Sequence, residues 1–185
     1  MNFVTTPGAS DANSYATLAE ADSYHEGHLY ASAWALAASG EKIIALIMST
    51  RLLDAMPGAW TGSASLETQA LGWPRSGMLS RNGYAIASGT IPVDLKNAEA
   101  EFARQLIGSD LTETNAIVAQ GISSLSAGPV SLSFQQSEEQ YLALRQKDSQ
   151  NAIIPDVVRL LLVPSWLKDP RDEQVQYRGM IAEVL

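Results

Sequence analysis

Helical periodicity organises the first hundred or so residues of the chain and then gives way to a two-residue alternation. Thr17-Leu18-Ala19-Glu20 has the form of a capping box, in which the threonine hydroxyl accepts from the Glu20 amide and the Glu20 carboxylate reaches back. Leu18, Ala21, Tyr24, His25, His28 and Leu29 follow at helical spacing, with Asp22 and Glu26 on the other face. A short turn around Ser32-Ala33-Trp34 leads into a second helix from about Ser39 to Met56. There Ile44, Ile47, Met48, Leu52 and Ala55 form one stripe, widened by Ile43, Leu46 and Leu53. So broad an apolar surface suits a central helix packed on more than one side. Pro57-Gly58 stops it, because proline supplies no amide and glycine tolerates the reversal. Ile91-Pro92 opens a third helix, in which Leu95, Ala98, Phe102 and Leu106 are predicted to face the core. Asp94, Lys96, Glu99, Glu101 and Arg104 are predicted to face mostly water, and Gly108 to Asp110 end the helix.

Beyond it the period changes. Val130, Leu132 and Phe134 alternate with Ser131 and Ser133, the mark of a half-buried strand. Residues 117–125 form a plausible partner strand, with Ser126-Ala127-Gly128-Pro129 as the turn, so the hairpin spans about 117–134. A two-stranded hairpin is marginal by itself in water and needs a surface to pack on. Pro155 opens a short fourth helix, Asp156 to Val163, closed by Pro164, and the run Leu160-Leu161-Leu162 predicts burial. Trp166 and Leu167 follow. The remaining tail has mixed charge and finishes apolar, in Ile181-Ala182-Glu183-Val184-Leu185.

Residues 57–92 make a long connection that holds nine of the 21 Gly and Pro residues and only three charged ones, Glu67, Arg75 and Arg81. Loops this long are functional or disordered more often than not. Trp60, Leu66, Leu71, Trp73, Met78 and Tyr84 argue against disorder, which is poor in such residues. The segment Gln69-Ala70-Leu71-Gly72-Trp73-Pro74-Arg75-Ser76-Gly77 is the densest stretch. Its aromatic and aliphatic groups need a cover, which is either the chain's own core or another subunit. Trp and Arg are enriched at interface hot spots, and the Arg75 guanidinium suits a carboxylate across such a contact.

Composition narrows the function classes. The chain has 185 residues, 46% of them hydrophobic and 17% charged, which is enough for one domain with a real core. Twenty acidic residues face twelve basic ones, a net charge of −8, and no Lys/Arg cluster occurs in sequence. Such a surface repels phosphate. Cysteine is absent, which excludes disulfides and thiolate metal sites. No signal peptide is legible at the start and no apolar run approaches a membrane span, so a soluble, cytoplasmically made protein is expected. His25 and His28 have a spacing compatible with a metal pair but no convincing third ligand on their own helix, and base rates favour partly buried histidines. No serine sits in a nucleophile elbow, and no phosphate-binding glycine motif is present. No catalytic residue, metal site or cofactor is therefore expected, and the chain does not read as an enzyme.

The order of the landmarks resembles a known family. Ser14-Tyr15 and the capped helix Leu18-Ala19-Glu20-Ala21-Asp22-Ser23-Tyr24 come first, then Trp34 and Ser49-Thr50-Arg51-Leu52-Leu53-Asp54. Trp60-Thr61-Gly62, Ala70-Leu71-Gly72-Trp73-Pro74-Arg75-Ser76-Gly77 and Ile91-Pro92 follow. The set is similar to head–tail connector, or head-completion adaptor, proteins of tailed bacteriophages. Some of these carry a primosomal, DnaT-like single-stranded-DNA-binding label. The likeness covers roughly residues 13–135, with the Leu-x-Trp-Pro-Arg-Ser-Gly segment most specific. Gly72 stands where alanine is more usual, and the tail after Leu167 has no match.

The resemblance implies a mainly α fold: a small helical bundle with a long ordered loop, a β-hairpin and an extended C-terminal arm. Residues 1–167 would form the adaptor domain and 168–185 the arm. It implies a homo-oligomeric ring, typically of twelve copies, docked on the portal protein in the virion neck. The ring would extend the channel through which viral double-stranded DNA passes without specific binding, and present a platform to the next neck or tail protein. The candidate subunit or portal contacts are Trp60, Leu71, Trp73, Pro74, Arg75, Met78, Tyr84, Val130, Leu132, Phe134, Trp166, Leu167, Ile181, Val184 and Leu185. The alternative is a single-stranded-DNA-binding replication accessory protein, which needs a basic groove lined with stacking aromatics. Here the aromatics have almost no basic company.

Overall fold

A computed structural model describes residues 2–56, 60–111, 124–127, 130–133 and 154–167. It is mainly α, with five helices among the described residues. The chain divides into two compact units, one of residues 1–108 with 154–185, the other of residues 109–153.

In the first unit the helices are α1 (Leu18–Glu26), α2 (Ser32–Leu36), α3 (Ser39–Asp54), α4 (Val93–Gly108) and α5 (Asp156–Leu161). The capping box at the start of α1 forms as its sequence predicts. The Thr17 hydroxyl accepts from the Glu20 amide at 3.2 Å, and the Glu20 carboxylate accepts from the Thr17 amide at 2.8 Å. Helix α4 is the central element, packed against α1, α2, α3 and α5. Its Leu95, Ala98 and Phe102 are fully buried, as their spacing predicts.

The inward face of α3 differs from the predicted stripe. Leu46, Ser49, Thr50 and Leu53 lie inward at the i, i+3, i+4, i+7 positions of one helix face, flanked by Ala45 and Ile47. Ile44 is 54% exposed and Ala55 is exposed. Counting apolar residues puts the stripe one residue out of phase, because the true face contains two hydroxyl residues. The same error falls on α4, where Glu99 and Glu101 are buried rather than turned to water. Helix α5 ends at Leu161, before a 3₁₀ turn at Pro164–Trp166. Of its leucine run only Leu162 is buried, while Leu160 is 75% exposed.

The described residues of the long connection, 60–92, are held by a two-residue ladder. In it β1 (Ser63–Ala64) pairs antiparallel with β2 (Arg75–Ser76), and an isolated bridge joins Leu79 to Ala85. The predicted stop at Pro57-Gly58 lies outside the described residues.

In the second unit β3 (Ser124–Ala127) pairs antiparallel with β4 (Val130–Ser133), with Ala127 opposite Val130. The hairpin is thus tighter than predicted, since Ser126 and Ala127 belong to the strand rather than to the turn. The rest of the expected first strand, residues 117–123, lies outside the described residues, as do Phe134 and the tail 168–185.

Candidate functional site

The tryptophan loop folds onto its own chain. Trp73 is 1% exposed and sits between Trp60, edge-on at 5.9 Å, and Trp166, whose ring lies 4.9 Å away. Three indoles, two from the long connection and one from the 3₁₀ turn after α5, thus form one aromatic core. Hydrogen bonds fix the arrangement. The Trp166 indole donates to the Leu79 carbonyl at 2.6 Å. The Thr61 amide and hydroxyl donate to the carbonyls of Trp166 and Ser165 at 2.7 and 2.8 Å.

Among the described residues Arg75 makes no ion pair with a carboxylate. Its guanidinium donates to three backbone carbonyls of its own loop: Thr61 at 2.6 Å, Gly72 at 2.9 Å and Gly62 at 3.0 Å. Each is a charge-assisted bond to the carbonyl of a residue outside the two-residue ladder. Gly62 has φ +64°, and a Cβ there would lie 2.4 Å from the Ser76 carbonyl oxygen. The close approach of β1 to β2 thus requires glycine.

Asp54, the last residue of α3, ties the loop to the bundle. Its carboxylate accepts from the Tyr15 hydroxyl, from the Trp60 indole at 3.1 Å and from the Gly72 amide at 2.9 Å. Burial, with the Asp54 charge next, raises the Tyr15 phenol well above its ordinary pKa, so the hydroxyl remains a donor.

Glu99 does the same work a layer deeper. Wholly buried, it accepts from the Ser14 hydroxyl at 2.6 Å, the Thr50 hydroxyl at 2.7 Å, and the amides of Ala16 at 2.6 Å and Tyr15 at 3.3 Å. Burial pushes its pKa up to about 7 against the opposing pull of these four donors. The carboxylate fixes the bend at residues 14–16 that feeds the N-terminal segment into α1.

A third polar cluster surrounds His25. Its ring is 4% exposed, lies 4.6 Å from Trp34 and has Nε2 3.1 Å from the Ala100 carbonyl, so Nε2 carries the proton. Burial lowers its pKa. His28 Nε2 lies 3.4 Å from the Glu101 carboxylate, which also accepts from Arg104 and Gln105. The sequence could not supply Glu101 as a neighbour of the histidines, since it comes from α4. Among the described residues no group of three or more His, Cys, Asp or Glu is placed to hold a metal ion. No helix among them is long and apolar enough to cross a membrane.

The candidate contact residues thus separate by burial. Trp60, Trp73, Pro74, Met78 and Trp166 are enclosed by their own chain, so their side chains are core and offer no open surface. Leu71, Arg75 and Leu167 are half-buried, and Tyr84 is 75% exposed. Val130 and Leu132 lie on β4. Phe134, Ile181, Val184 and Leu185 are outside the described residues. The large apolar side chains that do reach solvent include Leu29, Tyr30 and Leu36, none of which the sequence marks as a contact. They lie in an uncharged run, Leu29 to Gly40, one of several in the chain, so nothing in the sequence sets them apart.

A family model described as "Putative DnaT-like ssDNA binding protein" matches residues 1–176. The chain belongs to this family. The match takes in the N-terminal bend, the tryptophan loop, all five helices and the hairpin, so the DnaT-like family is the frame for the whole described structure. No curated protein matches the chain, and no solved structure does.

Proposed function

We propose that this DnaT-like family member is a structural, non-catalytic subunit of a tailed-phage particle. It forms a ring in the head–tail neck, docks on the portal protein, extends the DNA channel and presents a platform to the next neck or tail protein. The observation that supports this reading is the way the basic side chains are used. Lys42 pairs with Asp22 at 2.9 Å, Lys96 with Glu20 at 2.6 Å, and Arg104 with Glu101. Arg75 is committed to loop carbonyls, and Arg81 donates to the Leu161 carbonyl at 2.8 Å. With net charge −8 and these five cations of the described residues already engaged, a surface of this kind disfavours a phosphate backbone and would let double-stranded DNA slide past.

The family's description favours a second reading, a single-stranded-DNA-binding accessory of replication. Exposed Tyr30 and Tyr84 would then be its stacking faces, with Arg51, exposed on α3, as a phosphate contact.

Removing the gene from the phage that encodes it separates the two. The neck reading expects normal phage DNA synthesis and filled heads that lack tails under the electron microscope. Loss of DNA synthesis, together with tight, salt-sensitive binding of the purified protein to single-stranded DNA, would replace it with the second reading.

A further inference from the structure

Ser14 has one hydroxyl hydrogen and two acceptors within its reach. Its oxygen lies 2.8 Å from the Ala16 carbonyl and 2.6 Å from Oε1 of Glu99, and all three residues are buried. Among the described residues the Ala16 carbonyl has no other donor. With Glu99 ionised, the Ser14 hydrogen goes to the carboxylate and the Ala16 carbonyl is left unpaired, at the cost any buried orphan acceptor carries. With Glu99 protonated on Oε1, the carboxyl donates to Ser14 and Ser14 donates on to Ala16, so every group is paired. Thr50 and the amides of Tyr15 and Ala16 keep Glu99 as their acceptor in both states.

Residues 14–16 are also the root of an N-terminal strap, residues 2–16, that Asn13 draws into one piece. The Asn13 amide donates to the Val4 carbonyl at 2.9 Å, its side-chain oxygen accepts from the Val4 amide at 2.9 Å, and its side-chain nitrogen donates to the Asn2 carbonyl at 2.8 Å. The strap lies over the tryptophan loop. The Ala70 amide donates to the Ala9 carbonyl at 3.1 Å, and a Cβ at Gly8 (φ +76°) would come within 2.8 Å of Leu66 Cδ1. Thr5, Pro7 and Ala9 share one narrow cleft with Leu71, Trp73 and Ile91. The hold of Glu99 on residues 14–16 thus roots a segment that covers one side of the loop.

We propose that the strap is latched by a single proton, held between Glu99 and Ser14, and that loss of this proton to solvent releases the strap from the tryptophan loop. No cation stands ready to neutralise the carboxylate left behind, because the charged and titratable groups around α4 have other partners. Tyr15 of the bend donates to Asp54 of α3, His25 of α1 is bonded to the Ala100 carbonyl, and Asp22 of α1 pairs with Lys42 of α3. Glu20 of α1 pairs with Lys96, Arg104 with Glu101, and Arg159 of α5 donates to the Ile154 carbonyl, while α2 carries no charged residue. Burial holds the closed-state carboxyl at about 7, whereas lifting the strap would give Glu99 water and its ordinary 4.5. Opening therefore releases a proton between these two values and is favoured as pH rises from 4.5 to 7, by about 300-fold in all.

Amide hydrogen exchange of the full chain, read by NMR across this pH range, tests the latch. Protection factors at Val4, Asn13, Ala16 and Ala70 are expected to fall by about 300-fold from pH 4.5 to 7 and to level off above it. They should stay below those of Leu95 to Phe102 in α4 throughout, the mark of a local opening rather than global unfolding. Glu99→Gln keeps a hydrogen to donate to Ser14 and has no proton to lose, so its profile should be flat. Should that variant fail to fold, the Glu99 carboxyl carbon of the parent, followed by ¹³C NMR, should titrate near 7. A midpoint at or below 4.5 would overturn the latch, as would a decline of the same size in Glu99→Gln. So would strap protection that is independent of pH, or equal to that of α4 at every pH, since the strap would then open only when the whole unit unfolds.

Discussion

Thr50 of α3 donates a 2.7 Å hydrogen bond to Glu99 of α4, and neither side chain reaches solvent. The two helices are joined by a polar bond at the centre of their contact, where a purely apolar seam would be expected. The same carboxylate holds the amides of Tyr15 and Ala16, so one buried group sets three segments against one another. Removing an acceptor while its donors stay buried costs the desolvation of each donor. Glu99→Ala is expected to destabilise the fold by about 3 kcal/mol or more, read as a lower urea midpoint.

The titration of Glu99 carries a definite sign. Its folded pKa of about 7 lies above the ordinary 4.5, so the native state prefers the protonated carboxyl. The stability it contributes is complete below pH 4.5 and is lost as pH rises through 7, on the order of 3 kcal/mol in all. His25 acts in the opposite sense. Its pKa is lowered by burial, so its contribution is present above its ordinary 6.5 and is lost as pH falls. Urea unfolding of the parent and of Glu99→Gln between pH 4.5 and 8 should therefore differ in slope, with the variant free of the decline toward high pH.

Trp73 belongs to the core. Trp73→Ala removes the middle ring of the three-indole stack and is expected to cost about 3–5 kcal/mol. Thermal denaturation of the purified chain checks this. A variant with an unchanged midpoint would return Trp73 to the role of a contact residue.

Arg75→Lys keeps the charge and loses the fork. A lysine ammonium cannot replace three guanidinium bonds to the carbonyls of Thr61, Gly62 and Gly72. The expected loss is about 1–3 kcal/mol, local to the loop. Hydrogen exchange should show faster exchange at residues 61–76 and little change in α1 or α4.

Gly72→Ala tests how tightly the loop sits on Asp54. A Cβ at this position would lie 2.7 Å from both the Asp54 carboxylate and the Trp60 indole nitrogen. The clash falls on two groups that hydrogen-bond each other, and a loss of about 1–3 kcal/mol is expected. A thermal midpoint equal to the parent's would show that the loop shifts freely.

What is legible in the sequence follows from how local each signal is. The capping box of Thr17 and Glu20, the core residues Leu95, Ala98 and Phe102 of α4, and the alternation of Val130 and Leu132 depend on neighbours a few positions away. They can be read from a single pass. The inward turn of Thr50 and Glu99 depends on donors arriving from residues 14–16, and nothing in the pattern around either residue announces that. The tryptophan loop shows the same limit. Its need for cover is evident from Trp73, yet the cover is Trp60 and Trp166 of the same chain. Those indoles are spent on the core, while Leu29, Tyr30 and Leu36 are among the large apolar side chains that reach solvent. Apolar side chains look alike in sequence whether they point in or out, so Leu29 reads as the end of an amphipathic helix although it is 85% exposed.

Quantitative mass spectrometry of purified, DNA-filled particles, comparing this chain with the portal protein, tests the central claim most directly. A neck ring predicts copies in a near one-to-one ratio with the portal. Absence of the chain from those particles would contradict the account and move the protein to the replication machinery.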